Sequence, residues 1–127
     1  MTKSVLIVDD ESYIVKSLSF VMKNAGFETC SAGDGEEALQ KLDEMVPDLV
    51  ILDVMMPKLD GFEVCKAIRA NPAWCSIKII MLTAKGRDSE REKGLALGAD
   101  DYLTKPFSTR DILKRVQEMM NEERKAS

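Results

Sequence analysis

A chain of 127 residues that is 45% hydrophobic has room for one domain and enough apolar material to build its core without disulfide staples. Eighteen Lys plus Arg against 22 Asp plus Glu leave a net charge of −4, the wrong sign for gripping phosphate backbones or anionic lipid, so neither nucleic acid nor membrane is expected as a direct partner. The chain has no histidine, which excludes Ser/His/Asp and Cys/His triads, histidine-ligated zinc and a phosphohistidine carrier. Any chemistry then falls to carboxylates, hydroxyls, lysine or thiols. Cys30, Cys65 and Cys75 make an odd count without C-x-x-C spacing, and no signal peptide precedes the first apolar run, so reduced thiols in the cytoplasm are the plain reading.

In chain order, Val5 to Val8 is a branched apolar run, predicted to be a strand buried on both faces. Ile14, Leu18, Val21, Met22 and Ala25 step at helical spacing, and Gly26 ends that helix. Phe27 to Ser31 predicts a weaker edge strand, and Gly33-Asp34-Gly35 turns into a helix carrying Ala38, Leu39 and Leu42. Pro47 precedes a second buried strand, Leu49 to Leu52, and Asp60-Gly61 opens a helix carrying Phe62, Cys65 and Ile68. Trp74, in the loop before the next strand, receives no role. Ile77 to Leu82 is the third buried strand; a poorer helix follows from about Asp88 to Leu97, closed by Gly98. Asp101 to Thr104 predicts the second edge strand, and Ile112, Leu113, Val116, Met119 and Met120 mark the last helix before a polar end over 121–127. Strand and helix alternate five times, the pattern of a doubly wound parallel α/β sheet, and the simplest order is the flavodoxin-like 2-1-3-4-5. The domain is expected over 1–122, with 123–127 as a tail or the start of a linker.

In such sheets ligands bind beyond the carboxyl ends of the strands. Asp9-Asp10 follow strand one, Asp53 strand three, Thr83 strand four and Lys105-Pro106 strand five. Taken singly, each has an ordinary explanation as a helix cap, turn residue or surface lysine. Their convergence on one edge points elsewhere. Three carboxylates crowded together repel, and a hard divalent cation removes the conflict. Oxygen ligands without His or Cys suit Mg²⁺ or, in its place, Mn²⁺. A metal, a carboxylate, a hydroxyl and a fixed ammonium are the equipment for holding a phosphoryl group on an aspartate.

These residues resemble a response-regulator receiver domain of two-component phosphorelays. The resemblance runs through Val5 to Glu11, Leu49 to Pro57, Asp60-Gly61, Met81 to Ala84 and Gly98 to Phe107, and covers essentially the whole chain. It implies a CheY-like (βα)5 fold with Asp53 as phosphoacceptor. Asp10 would be a direct Mg²⁺ ligand, Asp9 a ligand through water or a hydrogen-bond partner, and Asp53 and the backbone carbonyl of Met55 further ligands. Lys105, preceding a cis peptide bond to Pro106, would pair with Asp53 and then with the phosphoryl group, which Thr83 would also bond while Tyr102 turns inward. A sensor histidine kinase or a phosphotransfer protein would be the donor, and the fourth helix, fifth strand and fifth helix the output face. Such a protein catalyses its own phosphorylation and slow dephosphorylation, yet it is a switch rather than a turnover enzyme.

Met55 and Lys85, each two positions after a site residue, would flank an attacking water, unless they are ordinary loop side chains. Ile14, Val15, Leu18 and Phe107 would form a kinase-docking surface, unless the helix simply buries its inner face. The output face most resembles the OmpR/PhoB subfamily of transcriptional regulators, which implies a homodimer with Arg91 pairing Asp111 and Asp101 pairing Arg115 across the interface. Asp111 stands where the subfamily usually has Glu, and it could instead bond Arg115 four residues along the same helix. Three other functions share parts of this pattern. A flavodoxin-like electron carrier would need a hydroxyl- and glycine-rich loop where Asp9-Asp10-Glu11 would repel FMN phosphate. A haloacid-dehalogenase-like phosphatase would need a second Asp where Met55 stands. A receiver that is never phosphorylated would have no use for the complete set Asp9, Asp10, Asp53, Thr83 and Lys105.

Overall fold

The computed structural model describes residues 2–84 and 88–126, with the backbone alone over 122–126. Its elements run β1 (Ser4–Val8), α1 (Ser12–Asn24), β2 (Glu28–Ala32), α2 (Gly35–Glu44), β3 (Leu49–Asp53), α3 (Gly61–Ala70), β4 (Lys78–Ala84), α4 (Asp88–Ala96), β5 (Asp101–Lys105) and α5 (Thr109–Ala126). All pairings are parallel, and the strand order is β2-β1-β3-β4-β5, as the alternating pattern predicts.

Successive side chains of a strand point to opposite faces, so the central strands divide their apolar residues between two cores. Leu6, Val8, Val50, Leu52, Ile79 and Met81 pack with Ala38, Leu42, Val64 and Ile68 on the face covered by α2 and α3. Val5, Ile7, Leu49, Ile51, Ile80 and Leu82 pack with Leu18, Met22, Ile112 and Val116 on the face covered by α1 and α5. Burying each branched side chain contributes about 1.5–3 kcal/mol, which is what holds the charged edge described below in place. Trp74, given no role from the sequence, belongs to the first core.

Local signals set the helix starts. Asp34 accepts from the Glu37 N–H at 2.8 Å, and Asp60 with Glu63 forms a reciprocal capping box that starts α3. Gly61 is required by close approach, because a Cβ there would collide with the Asp53 carbonyl. That contact seats α3 directly against the end of β3.

Several boundaries differ from the sequence reading. β2 starts at Glu28 rather than Phe27, since the Phe27 N–H still closes α1 on the Met22 carbonyl and its ring packs into the second core. β3 and β4 run on to include Asp53 and Thr83, and β5 includes Lys105. Helical backbone continues to Ala126 through the expected tail, because Glu, Arg, Lys and Ala propagate a helix without any apolar stripe. Of the four residues expected to dock a kinase, Ile14 and Leu18 are core residues, while Val15 and Phe107 are half-buried beside them.

At the amino edge of the sheet one side chain gathers the β4 and β5 ends. Arg69 of α3 donates to the carbonyls of Gly98 (2.8 Å), Cys75 (3.0 Å) and Ile77 (2.7 Å) and to Asp100 Oδ2 (2.8 Å), and that same oxygen accepts the Ile79 N–H at 2.8 Å. α4 is less well held, with Gly94 as its only buried residue.

Candidate functional site

Strand register assembles the carboxyl edge. Val8 lies beside Leu52, Asp53 beside Leu82, Thr83 beside Thr104 and Ala84 beside Lys105, so the residues at and just after these ends meet over β1, β3, β4 and β5. Asp9, Asp53 and Thr83 are the buried polar side chains there, with relative exposures of 1%, 4% and 3%. A polar group removed from water needs partners, and these are only partly supplied.

Asp9 is fixed by its backbone N–H to the Ala32 carbonyl (3.1 Å) and accepts the Glu11 N–H on Oδ1 (2.9 Å). Its Oδ2 is buried without a hydrogen-bond partner, although Lys105 Nζ stands 3.0 Å away in an ion pair. Among the described residues Asp53 accepts a long hydrogen bond, 3.4 Å, from the Met55 N–H, and its Oδ2 is 3.3 Å from Lys105 Nζ. Lys105 also meets Glu11 Oε1 at 2.9 Å, and its bond to Pro106 is cis.

One ammonium therefore serves three carboxylates. Burial first, then the charge of Asp9, pushes the Asp53 carboxyl up to about 6, against the pull of Lys105 and the Met55 N–H. Burial acts to lower the Lys105 pKa, but Glu11, Asp9 and Asp53 outweigh it and hold the ammonium above its ordinary value. Glu11 is held below the usual carboxylate range, chiefly by the Tyr13 hydroxyl and then by Lys105.

One oxygen each from Asp9, Asp10, Glu11 and Asp53 lies within 4.8 Å of the others. A buried Asp9 carboxylate within an all-oxygen cluster fits a hard divalent cation such as Mg²⁺. Glu11 is the residue the sequence reading missed. Its place next to Asp9-Asp10 was visible, but its contact with Lys105 spans 94 residues of chain and needs the fold.

The remaining predicted residues sit around this centre. Met55 is exposed in the loop after β3, and Tyr102 is half-buried with the Arg91 guanidinium 4.4 Å from its ring centroid. Asp101 pairs with Arg115 at 2.7 Å within one chain, where the resemblance implied a pair between two chains. Arg115 thus reaches from α5 back to β5, and Asp111 uses its backbone N–H on the Ser108 hydroxyl. Lys85 lies outside the described residues.

The model of the response regulator receiver domain matches residues 5–117. This chain belongs to that family. Receivers switch by phosphorylation, generally bind Mg²⁺ at an acidic site and interact with histidine kinases or phosphotransfer proteins. The receiver is similar to the alkaline phosphatase synthesis transcriptional regulatory protein PhoP of Bacillus subtilis (strain 168), at 48% identity over 120 residues, 94% of this chain and 49% of that protein. It is also similar to the probable transcriptional regulator ycf27 of Guillardia theta, at 46% over 125 residues, 98% of this chain and 48% of that one. The chain spans about half the length of these curated relatives. Among solved structures, a putative response regulator from Chloroflexus aurantiacus J-10-fl matches with a TM-score of 0.90 and 39% identity, covering 95% of this chain and 99% of the other. No helix among the described residues is long and apolar enough to cross a membrane.

Proposed function

We propose that Asp53 is the phosphoacceptor of this receiver, with Asp9, Asp10 and the backbone carbonyl of Met55 holding Mg²⁺ or Mn²⁺ beside it, and Lys105 and Thr83 taking up phosphoryl oxygens. The observation that carries the reading is a buried carboxylate at a strand end, pushed up to about 6, whose partner Lys105 is shared with two further acids among the described residues. When bound, the cation supplies positive charge that offsets both the carboxylates and the incoming phosphoryl oxygens.

An Asp53 oxygen forms the new bond to phosphorus. The bond that breaks is the P–N bond of a phosphohistidine on a sensor kinase or phosphotransfer protein, or the P–O bond of an acyl phosphate, and its electron pair leaves with the nitrogen or oxygen. Positioning and charge do the work, since the protein supplies little covalent chemistry beyond the nucleophile. Hydrolysis by water later returns inorganic phosphate and the free carboxylate, so the chain is a switch that acts once per phosphorylation rather than a turnover enzyme. Met55 and Lys85 would border the path of that water.

Thr83 and Lys105 gain contacts only once the phosphoryl group is present. That difference shifts a pre-existing equilibrium of β4, β5 and the helices beside them, with Tyr102 following Thr83 inward. The output is the α4–β5–α5 face of a cytoplasmic regulator of the OmpR/PhoB type, a reading supported by the likeness to PhoP. A homodimer through that face, with Arg91 against Asp111, must open the Asp101–Arg115 pair before those two can bridge chains.

Intact mass after incubation with acetyl phosphate tests the reading. One added phosphoryl group that requires Mg²⁺, with dimer formation in the same samples, is expected. No increment together with no beryllofluoride binding in Mg²⁺ would overturn it.

A further inference from the structure

A hydrogen-bonded chain leads from the surface into the site. Tyr13, in the first turn of α1, is 66% exposed, yet its hydroxyl donates to Glu11 Oε2 at 2.7 Å instead of being left to water. The other oxygen of the same carboxylate, Oε1, accepts from Lys105 Nζ at 2.9 Å. Glu11 itself makes no side-chain cap for α1, so its carboxylate has no local task at the helix start. A glutamate side chain has three rotatable torsions and loses about 1.5–2 kcal/mol of rotamer freedom when fixed, so anchoring one oxygen pre-organises the other for the lysine.

Lys105 stands closer to Glu11 (2.9 Å) and Asp9 (3.0 Å) than to Asp53 (3.3 Å). Moving the ammonium toward a phosphoryl group on Asp53 lengthens its contact with Glu11. The tyrosine that anchors Glu11 therefore opposes that move.

We propose that Tyr13 is a positioning residue that, through Glu11, holds Lys105 on the acidic side of the site and so weakens the site's hold on a phosphoryl group at Asp53. The inference rests on Asp53 being the acceptor. Tyr13 also lines a groove of about 430 Å³ with Ile14, Ala84, Pro106 and Phe107, so its ring is reachable from outside while its hydroxyl reports to the lysine.

The test is a double-mutant cycle on the full chain, reading beryllofluoride affinity by calorimetry at saturating Mg²⁺. Tyr13→Phe is expected to tighten beryllofluoride binding about threefold and Glu11→Ala by more, up to about tenfold. Adding Tyr13→Phe to Glu11→Ala is expected to change nothing further, because the hydroxyl then has no carboxylate to hold. An unchanged or weaker affinity in Tyr13→Phe, or the same threefold gain in both backgrounds, overturns the proposal. So does a matching shift in the Mg²⁺ affinity of Tyr13→Phe, which would make its effect one on the metal. If the wild-type chain binds no beryllofluoride, or if Asp53→Asn binds it equally well, the acceptor assignment itself fails. A wild-type response confined to Asp53 with a silent Tyr13 leaves that assignment standing and removes only the role of Tyr13.

Discussion

At the amino edge of the sheet, Asp100 faces Arg69, and the pair is well supplied: the guanidinium fork reaches three carbonyls and the carboxylate, which also takes the Ile79 N–H. At the carboxyl edge, Asp53 faces Lys105, and the balance is reversed, with Asp9 and Glu11 drawing on the same ammonium. The first arrangement is complete in itself and serves the fold. The second gathers more carboxylates than Lys105 alone offsets, among the described residues, and it is carried on strands whose apolar side chains are buried. An aspartate–cation pair thus serves as fastening or as chemistry according to how well its neighbours satisfy it.

Substitutions at the two edges should act with opposite sign. Arg69→Ala removes four hydrogen bonds and leaves Asp100 without its cation, so urea unfolding should show a loss of about 3 kcal/mol, with Mg²⁺-dependent phosphorylation still present. An unchanged stability would break the comparison.

Asp53→Asn should instead stabilise the metal-free chain at neutral pH by about 3 kcal/mol. The sign follows from the proton. A carboxyl with an unfolded value of 3.8 and a folded value of about 6 binds a proton on folding between the two, so the folded wild type loses stability as pH rises across that window and keeps the deficit above it. The advantage of the asparagine variant should therefore vanish near pH 4 and shrink when Mg²⁺ is added to the wild type. A gap independent of pH would locate the effect elsewhere.

The smallest effect belongs to the half-exposed Asp101–Arg115 pair. Arg115→Ala should cost the monomer less than about 0.5 kcal/mol in thermal unfolding while changing dimer formation after phosphorylation. A large loss of monomer stability would make that pair a second fastening.

The three central strands were legible because both of their faces are buried, leaving apolar runs rich in branched residues at Val5 to Val8 and Leu49 to Leu52 and, interrupted by Lys78, at Ile77 to Leu82. The edges were less so. Phe27 reads as strand by composition but belongs to the turn that closes α1, and α5 outlasts its apolar stripe because helix propagation needs only good helix formers. At the candidate site, Asp9, Asp10, Asp53, Thr83 and Lys105 could be gathered from their strand-end positions alone. Glu11 and Tyr13 could not, since their link to Lys105 depends on side-chain directions across distant elements. Arg69 was equally hidden, as a single arginine in an amphipathic helix gives no sign that four acceptors converge on it.

If the carboxyl edge carries a phosphoryl group on Asp53, as we propose, that group can be mapped on the chain. Treating the acetyl-phosphate-labelled chain with borohydride, which reduces an aspartyl phosphate to homoserine, and mapping the peptides locates that group directly. Homoserine at position 53, formed only when Mg²⁺ was present during labelling, is the predicted result. Homoserine at position 9 or 10, or a label that resists borohydride altogether, would contradict it.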